Sequence, residues 1–297
     1  MRLLWLTDPH LAHLPSPFGI ERFAERLGRD CAPDLCLITG DIAEGVTTAR
    51  ALQLFQRHLG APVAFVLGNH DVHERTWAEA SEEADRLASA SSGQLTYLTA
   101  GVGLRLAPGV VLAGQDGWYD ARCGVPEAVV NRATLGPLPA FAQVLSGKRA
   151  IPAALALLRD HADAEAEAAA KTLRHTAKDL LATPLDSGRR PLVVFATHVP
   201  PWEACARHGA GPCSPLWQPL MVSRCMGQAI EGAARAYPGV DFQVLCGHTH
   251  TAHEERLADN LTCEVGWSGP RDYGQPWPSG QWVANEDGLT RIPLPAP

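Results

Sequence analysis

Six short apolar runs punctuate the chain: Leu3–Thr7, Leu35–Thr39, Val63–Leu67, Val110–Ala113, Leu192–Thr197 and Phe242–Cys246. They are mostly continuous rather than alternating, the pattern of strands buried on both faces. Amphipathic stretches lie between them. Ile20, Phe23, Ala24 and Leu27 recur at i, i+3, i+4 and i+7 after Ser16-Pro17, which suits a cap and a first helical turn. Leu52, Phe55 and Leu59 repeat the spacing in the next connection. This alternation predicts an α/β chain. From Pro152 to Leu181 the sequence is rich in Ala, Glu and Leu, has no glycine, and is stopped by Thr183-Pro184. It predicts one helix on the order of 40 Å long at ~1.5 Å per residue. Glu167 and Lys171 stand at i, i+4 on what reads as a solvated face. Residues 139–185 are therefore expected to be a helical insertion, and a candidate cap, within a single domain over 1–297. From Glu264 onward, Pro, Gly and Trp predict late strands and irregular cover.

Composition narrows the function. Hydrophobic residues at 46% against 19% charged allow a sizeable core. A net charge of −7 argues against a nucleic-acid surface, which would need a basic stripe. A small anionic substrate remains compatible, because bound cations reverse the local sign. No run approaches the ~20 apolar residues of a membrane span, and none has the pattern of a signal peptide. The eight cysteines form no CxxC pair, so they are expected to be reduced and packed in a cytoplasmic protein. Cys205 and Cys213, in a Gly/Pro-rich loop, are the pair placed for anything else.

Chemistry collects where the apolar runs stop. The first ends in Asp8-Pro9-His10, the second in Gly40-Asp41, the third in Gly68-Asn69-His70-Asp71, the fifth in His198, the sixth in Gly247-His248-Thr249-His250. Each alone is weak: Asp8-Pro9-His10 and Gly40-Asp41 read first as turns and His198 as a packed core histidine, while His248-Thr249-His250 is stronger and reads as readily as a metal-binding pair. Together they deliver carboxylates, imidazoles and a carboxamide at the carboxyl ends of five strands, where open α/β sheets bind ligands. Carboxylate and imidazole without cysteine suits Mn²⁺, Fe or Zn²⁺. Gly40, Gly68 and Gly247 each precede a candidate ligand, where a missing Cβ lets the backbone approach closely. Pro9 fixes its own φ and is expected to hold Asp8 extended.

The ordered set D-x-H, G-D, G-N-H-D, H and G-H-T-H resembles the calcineurin-like metallophosphoesterase superfamily, over positions 8 to 250. The resemblance implies a two-sheet β-sandwich flanked by helices and a pair of divalent metal ions. It implies that Asp8, His10, Asp41 and His250 hold one ion, and that Asp41 bridges to a second held by Asn69, His198 and His248. His70 would be the acid that protonates the leaving oxygen, or the group that stabilises the charged phosphorane-like state, with Asp71 orienting its ring. The activity implied is metal-dependent hydrolysis of phosphate esters, mono- or diester, on a small molecule or nucleotide. A nuclease and a non-catalytic interaction scaffold are the alternatives. Two cations ~3.5–4 Å apart acidify a water and neutralise the attacking and leaving oxygens. Substrate selection falls to the loops. Trp118, Tyr119 and Arg122 are candidates to stack on or clamp a leaving group. Arg207 and His208 are candidates to contact phosphate, and Arg271-Asp272-Tyr273 form a further candidate. His13, just past the first motif, has no assigned role.

Overall fold

The computed structural model describes residues 1–15, 18–101, 103–126, 150–183, 185, 188–267 and 277–295. Three of the expected strands, β1 (Arg2–Leu6), β2 (Leu35–Thr39) and β3 (Val63–Val66), run parallel in one sheet. The other three, β6 (Val110–Gly114), β7 (Leu192–Ala196) and β10 (Asp241–Cys246), run parallel in a second. The first sheet is extended by β4 (Leu95–Tyr97) beside β3, and by the hairpin β13 (Gly280–Asn285) and β14 (Gly288–Arg291) antiparallel on β1. The second gains β5 (Leu104–Ala107), antiparallel on β6, and β12 (Leu261–Val265), parallel to β10, with β11 (His253–Ala258) antiparallel at the edge.

Strand alternation divides the core into three layers. Leu3, Trp5 and Leu37 point from the first sheet into a common interior with Leu112, Val194 and Leu245 of the second. Their neighbours Leu4, Leu6, Ile38 and Phe65 face outward beneath α1 (Gly19–Cys31) and α2 (Thr48–Leu59), and α3 (Trp77–Ala90) covers the same sheet near β4. Val193, Phe195 and Val244 face the opposite way, under α4 (Ala150–Leu181) and α6 (Arg224–Ala236). The order is helices, sheet, sheet, helices. Continuous apolar strands are required because both faces of both sheets are covered. A short hairpin, β8 (Arg207–His208) with β9 (Gly211–Pro212), and the single turn α5 (Gln218–Met221) lie between β7 and α6.

The long helix α4 runs for 32 residues. Leu158 and Ala162 on its first half join the outer core of the first sheet, while Leu173, Ala177 and Leu180 pack on the second. Glu167 and Lys171 pair at 2.8 Å on its solvated face. Of the expected insertion, residues 139–149 lie outside the described residues, as do Ser16, Pro17, Pro184 and the candidate Arg271-Asp272-Tyr273.

Through α4 the second sheet grips the loop that follows β6. Asp163 accepts both guanidinium N–H groups of Arg122 at 2.8 and 2.7 Å, and His161 stacks on Trp77 at 3.9 Å. Glu165 accepts the Gln115 amide at 2.7 Å. Beside it, Asp116 accepts the Leu67 N–H and the Thr99 hydroxyl, both at 2.7 Å, and the Tyr97 hydroxyl. Burial, then the neighbouring Glu165 charge, push the Asp116 carboxyl up to about 7. Burial also raises Glu165.

A pH dependence follows with a definite sign. Ordinary carboxyls titrate near 4. With both groups raised, the folded protein keeps protons that the unfolded chain has lost, so stability falls as pH rises from about 4 towards about 7. Glu165→Gln removes one partner and leaves Gln115 an acceptor. Urea-unfolding free energies of the metal-loaded proteins should then fall less between about pH 5 and pH 7.5 in the variant than in wild type. An equal fall in both would show that the pair does not titrate there.

Candidate metal centre

All five motif ends meet at the carboxyl edge of the two sheets. Asp8, His10, Asp41 and His250 each offer a donor atom within 4.8 Å of the others, and Asp41, His198 and His248 form a second such group. Asp41 belongs to both. Its carboxylate lies 3.3 Å from His198 Nε2 and 3.8 Å from His10 Nε2, and it accepts the backbone N–H of His70 at 2.9 Å. Asn69 Oδ1 stands 3.1 Å from His198 Nε2, which adds the carboxamide to the second group. Asp8, His10, Asp41 and His198 are at most 3% exposed.

Backbone conformation is spent on this convergence. Among the described residues, nine that are not glycine have positive φ, and five of them are Asp8, His10, Asp41, His248 and His250. Left-handed conformations in non-glycine residues cost of order 1 kcal/mol each and persist where surroundings over-determine them. Asp8 at φ 47° corrects the expectation that Pro9 holds it extended. Pro9 instead separates two left-handed residues, so the chain doubles back and brings Asp8 and His10 to one point. The glycines act by closeness. A Cβ on Gly247 would sit 1.8 Å from Thr7 Oγ1 and 2.3 Å from Asp8 Oδ2, and one on Gly68 would sit 2.3 Å from the Asp41 carboxylate.

The ring nitrogens are oriented from behind. His198 Nδ1 donates to the Thr39 carbonyl at 2.9 Å, and His248 Nε2 donates to the Leu220 carbonyl at 2.7 Å. Their other nitrogens, both acceptors in the neutral rings, face each other at 3.2 Å. His10 Nε2 and His250 Nε2 approach to 3.4 Å. At such distances either a proton or a metal ion lies between the two nitrogens. The titration of the two facing rings has the same meaning. Burial opposes charge on both. The Asp41 carboxylate overcomes it for His198, lifting it to about 10, whereas His248, beside that charge, is held down to about 4. Burial pushes the Asp8 carboxyl up, yet His250 and then His198 hold it down to about 2. The buried donors, all oxygen and imidazole nitrogen, fit divalent metal ions held in these two groups.

His70 does not pair with Asp71, a correction to the sequence reading. The Asp71 carboxylate is buried and consumed by four other donors: the N–H groups of Ile42, Ala43 and Gly68 at 3.2, 3.0 and 2.8 Å, and the Thr48 hydroxyl at 2.8 Å. It ties the Gly40-Asp41 loop to the Gly68–Asp71 loop. Burial and then the Asp41 charge raise it to about 6, against the pull of those N–H groups. The carboxylate that orients His70 is Glu44, whose Oε1 lies 2.7 Å from His70 Nδ1. Sequence reasoning missed Glu44. Its signal was an acid three residues after Asp41, directly before a glycine with φ 46°. Burial disfavours the His70 cation, but Asp41 and Glu44 outweigh it and raise the ring above its ordinary value.

The substrate candidates fare differently. Trp118 and Tyr119 are 3% and 4% exposed. Trp118 packs edge-on against Trp77 and His161, and Tyr119 lies 6.1 Å from the His248 ring, so they support the centre from below rather than offering a stacking face. Arg122 is engaged by Asp163 and Asp120. Arg207 donates to the Ala210 carbonyl within the β8–β9 hairpin and His208 is exposed beside it; neither hydrogen-bonds to a residue of the two groups. His13 joins Glu44 at 3.1 Å.

Gly247→Ala should abolish metal retention. Elemental analysis after dialysis is expected to find well under one ion per chain, with far-ultraviolet circular dichroism unchanged, because the new methyl displaces Thr7 and Asp8 and nothing remote. Full metal content in the variant would show that the close approach is not needed.

A model of the calcineurin-like phosphoesterase family matches residues 1–252. Among curated proteins, none matches the chain. Two solved structures share the fold along nearly the whole length. A phosphopantetheinyl hydrolase from Mycobacterium tuberculosis is 17% identical, with TM-score 0.53, over 99% of this chain and 96% of its own. A dimetal phosphatase from Danio rerio is 13% identical, with TM-score 0.55, over 98% and 96%. With its two helix-flanked sheets and the motif residues gathered at their common edge, this chain belongs to the calcineurin-like phosphoesterase family and is a metal-dependent phosphoesterase.

Proposed function

We propose that the protein hydrolyses a small phosphate ester, mono- or diester, with two divalent ions that share Asp41. The observation that carries this reading is the single buried carboxylate common to two donor groups. Asp8, His10 and His250 complete one group, and Asn69, His198 and His248 the other. A dimetal phosphatase of the same fold agrees with a count of two. Such ions supply positive charge for phosphate oxygens and lower the pKa of water. Mn²⁺, Fe or Zn²⁺ suits the donors.

The protein's own groups do the rest. His70 sits at the rim with a side chain 28% exposed, its Nε2 3.9 Å from Asp41. Glu44 holds a proton on Nδ1, so in the cationic ring Nε2 carries the second proton and presents it to the leaving oxygen. When that proton is given up, the Nδ1 proton stays on the Glu44 hydrogen bond and the ring keeps its orientation. Asp71 fixes the spacing of the loops that bear Asp41 and His70. The overall charge of −7 supports a small substrate over a nucleic acid. All eight cysteines are free and buried, which supports a reducing setting; no helix among the described residues is long and apolar enough to cross a membrane.

Purified protein loaded with Mn²⁺ should hydrolyse p-nitrophenyl phosphate or bis-p-nitrophenyl phosphate. Absence of turnover across a broad phosphate-ester panel, with metal bound, would end the proposal. His70→Ala should retain its metal and lose ~10²–10⁴-fold in kcat. Loss of metal in that variant would make His70 a ligand instead.

A further inference from the structure

Two acids face each other across the β11–β12 ladder, Glu254 and Glu264. Glu264 is claimed by Arg291 of β14 at 2.7 Å. Glu254 is exposed and makes no hydrogen bond or ion pair among the described residues. All three line a cavity of about 480 Å³, together with the indoles of Trp267 and Trp277. The main chain of Trp267 is held on both sides by one hydroxyl: its N–H donates to Ser279 Oγ at 3.1 Å, and that hydroxyl donates to the Trp267 carbonyl at 2.9 Å. Its ring is left open. Trp277 carries the Arg26 guanidinium 4.6 Å above its ring, and Trp282, nearby on β13, carries that of Arg291 at 5.4 Å. These two are 7% and 3% exposed; Trp267, at 38%, has no cation or ring partner among the described residues.

The cavity adjoins the metal centre. Gly266, on its wall, lies so close to Thr7 that a Cβ would sit 2.5 Å from Thr7 Cγ2, and the Thr7 hydroxyl donates to Asp8 Oδ2 at 2.6 Å. Ala252, also on the wall, follows His250 by two residues. Asp8 and His250 belong to the same donor group. We propose that this cavity receives an alcohol part of the substrate, and that it selects a phosphate ester whose alcohol carries an organic ammonium group. The proposal deepens the hydrolase reading and rests on it for the phosphate end.

The chemistry of the wall selects the charge. An indole face attracts a cation through the ring quadrupole, and tryptophan does so best among the aromatic side chains. Glu254 supplies the opposite charge beside it. Two carboxylates against the one guanidinium of Arg291 leave the wall one negative charge, and His253 is engaged by Glu255 at 3.1 Å. An anionic alcohol part would be repelled, and an uncharged one would gain nothing from Glu254. The volume falls within the ~300–1,000 Å³ of small-molecule sites. The ester so selected is a zwitterion, with its phosphate at the donor groups and its ammonium on Trp267.

The test compares O-phosphocholine and its p-nitrophenyl diester with the 3,3-dimethylbutyl counterparts, which have the same shape with carbon in place of the charged nitrogen. In Mn²⁺-loaded wild type, the charged ester is expected to be favoured about 10-fold in kcat/KM, in whichever form turns over. Trp267→Ala and Glu254→Gln should each bring that ratio towards one, chiefly through KM. Trp267→Phe, which keeps an aromatic face, should retain part of it. A ratio near one in wild type, or a ratio unchanged in both Trp267→Ala and Glu254→Gln, overturns the proposal. If no phosphate ester is hydrolysed at all, calorimetric titration with choline decides instead. Choline binding that Trp267→Ala loses would leave the subsite standing while the hydrolase reading falls; no choline binding would end both.

Discussion

A carboxylate with almost no access to water keeps its charge only if donors or positive partners surround it, and at the centre of this site that carboxylate is Asp41. It is 1% exposed and sits among His198, His10 and His70. Burial alone would drive it to bind a proton. The histidines outweigh burial and hold it well below the usual carboxylate range. Everything that reaches the sheet edge is arranged around keeping that charge: the left-handed turns at five candidate ligands, the glycines that let Thr7 and Gly68 close in, and the carbonyls of Thr39 and Leu220 that turn the imidazoles inward. Metal ions are the natural completion of such an arrangement, since they satisfy facing lone pairs that protons could satisfy only in part.

The acids around the centre divide the labour by their partners. Asp8 and Asp41 face imidazole nitrogens and are held ionised. Asp71 faces backbone N–H groups and works as a tie between loops. Glu44 faces imidazoles at the rim, where it is partly solvated and is held below its ordinary value in spite of some burial. Asp116 and Glu165 lie a layer further back, anchoring the loop after β6, and the Asp116 carbonyl accepts the N–H of His198 at 2.9 Å. The long helix thereby reaches the centre through one carboxylate and one carbonyl, without supplying a candidate ligand itself.

Much of this was legible in the chain. Six continuous apolar runs gave six of the strands, because burial on both faces leaves no polar alternation to blur them. The long helix was plain from its composition. The helices α3 and α6 were not: α3 buries little besides Ala80 and Ala84, and α6 carries Gly227 and Gly232, which dilute the pattern. Gly227 is there because the Pro201 carbonyl packs where its Cβ would be. The seven candidate ligands announced themselves because each sits at a strand end. Their supporting contacts did not. The carbonyls of Thr39 and Leu220 are backbone atoms with no sequence signature, and Glu44 was obscured because Asp71 is the nearer acid in sequence to His70. Trp118 and Arg122 read as substrate contacts only until α4 is placed against them.

The shared carboxylate can be tested spectroscopically. Electron paramagnetic resonance of the Mn²⁺-loaded protein at low temperature reports whether two ions are magnetically coupled. The account predicts a coupled multiline spectrum in wild type that collapses to the six-line pattern of isolated Mn²⁺, or disappears with the metal, in Asp41→Asn. A six-line spectrum in fully loaded wild type, or coupling that survives in Asp41→Asn, would contradict it.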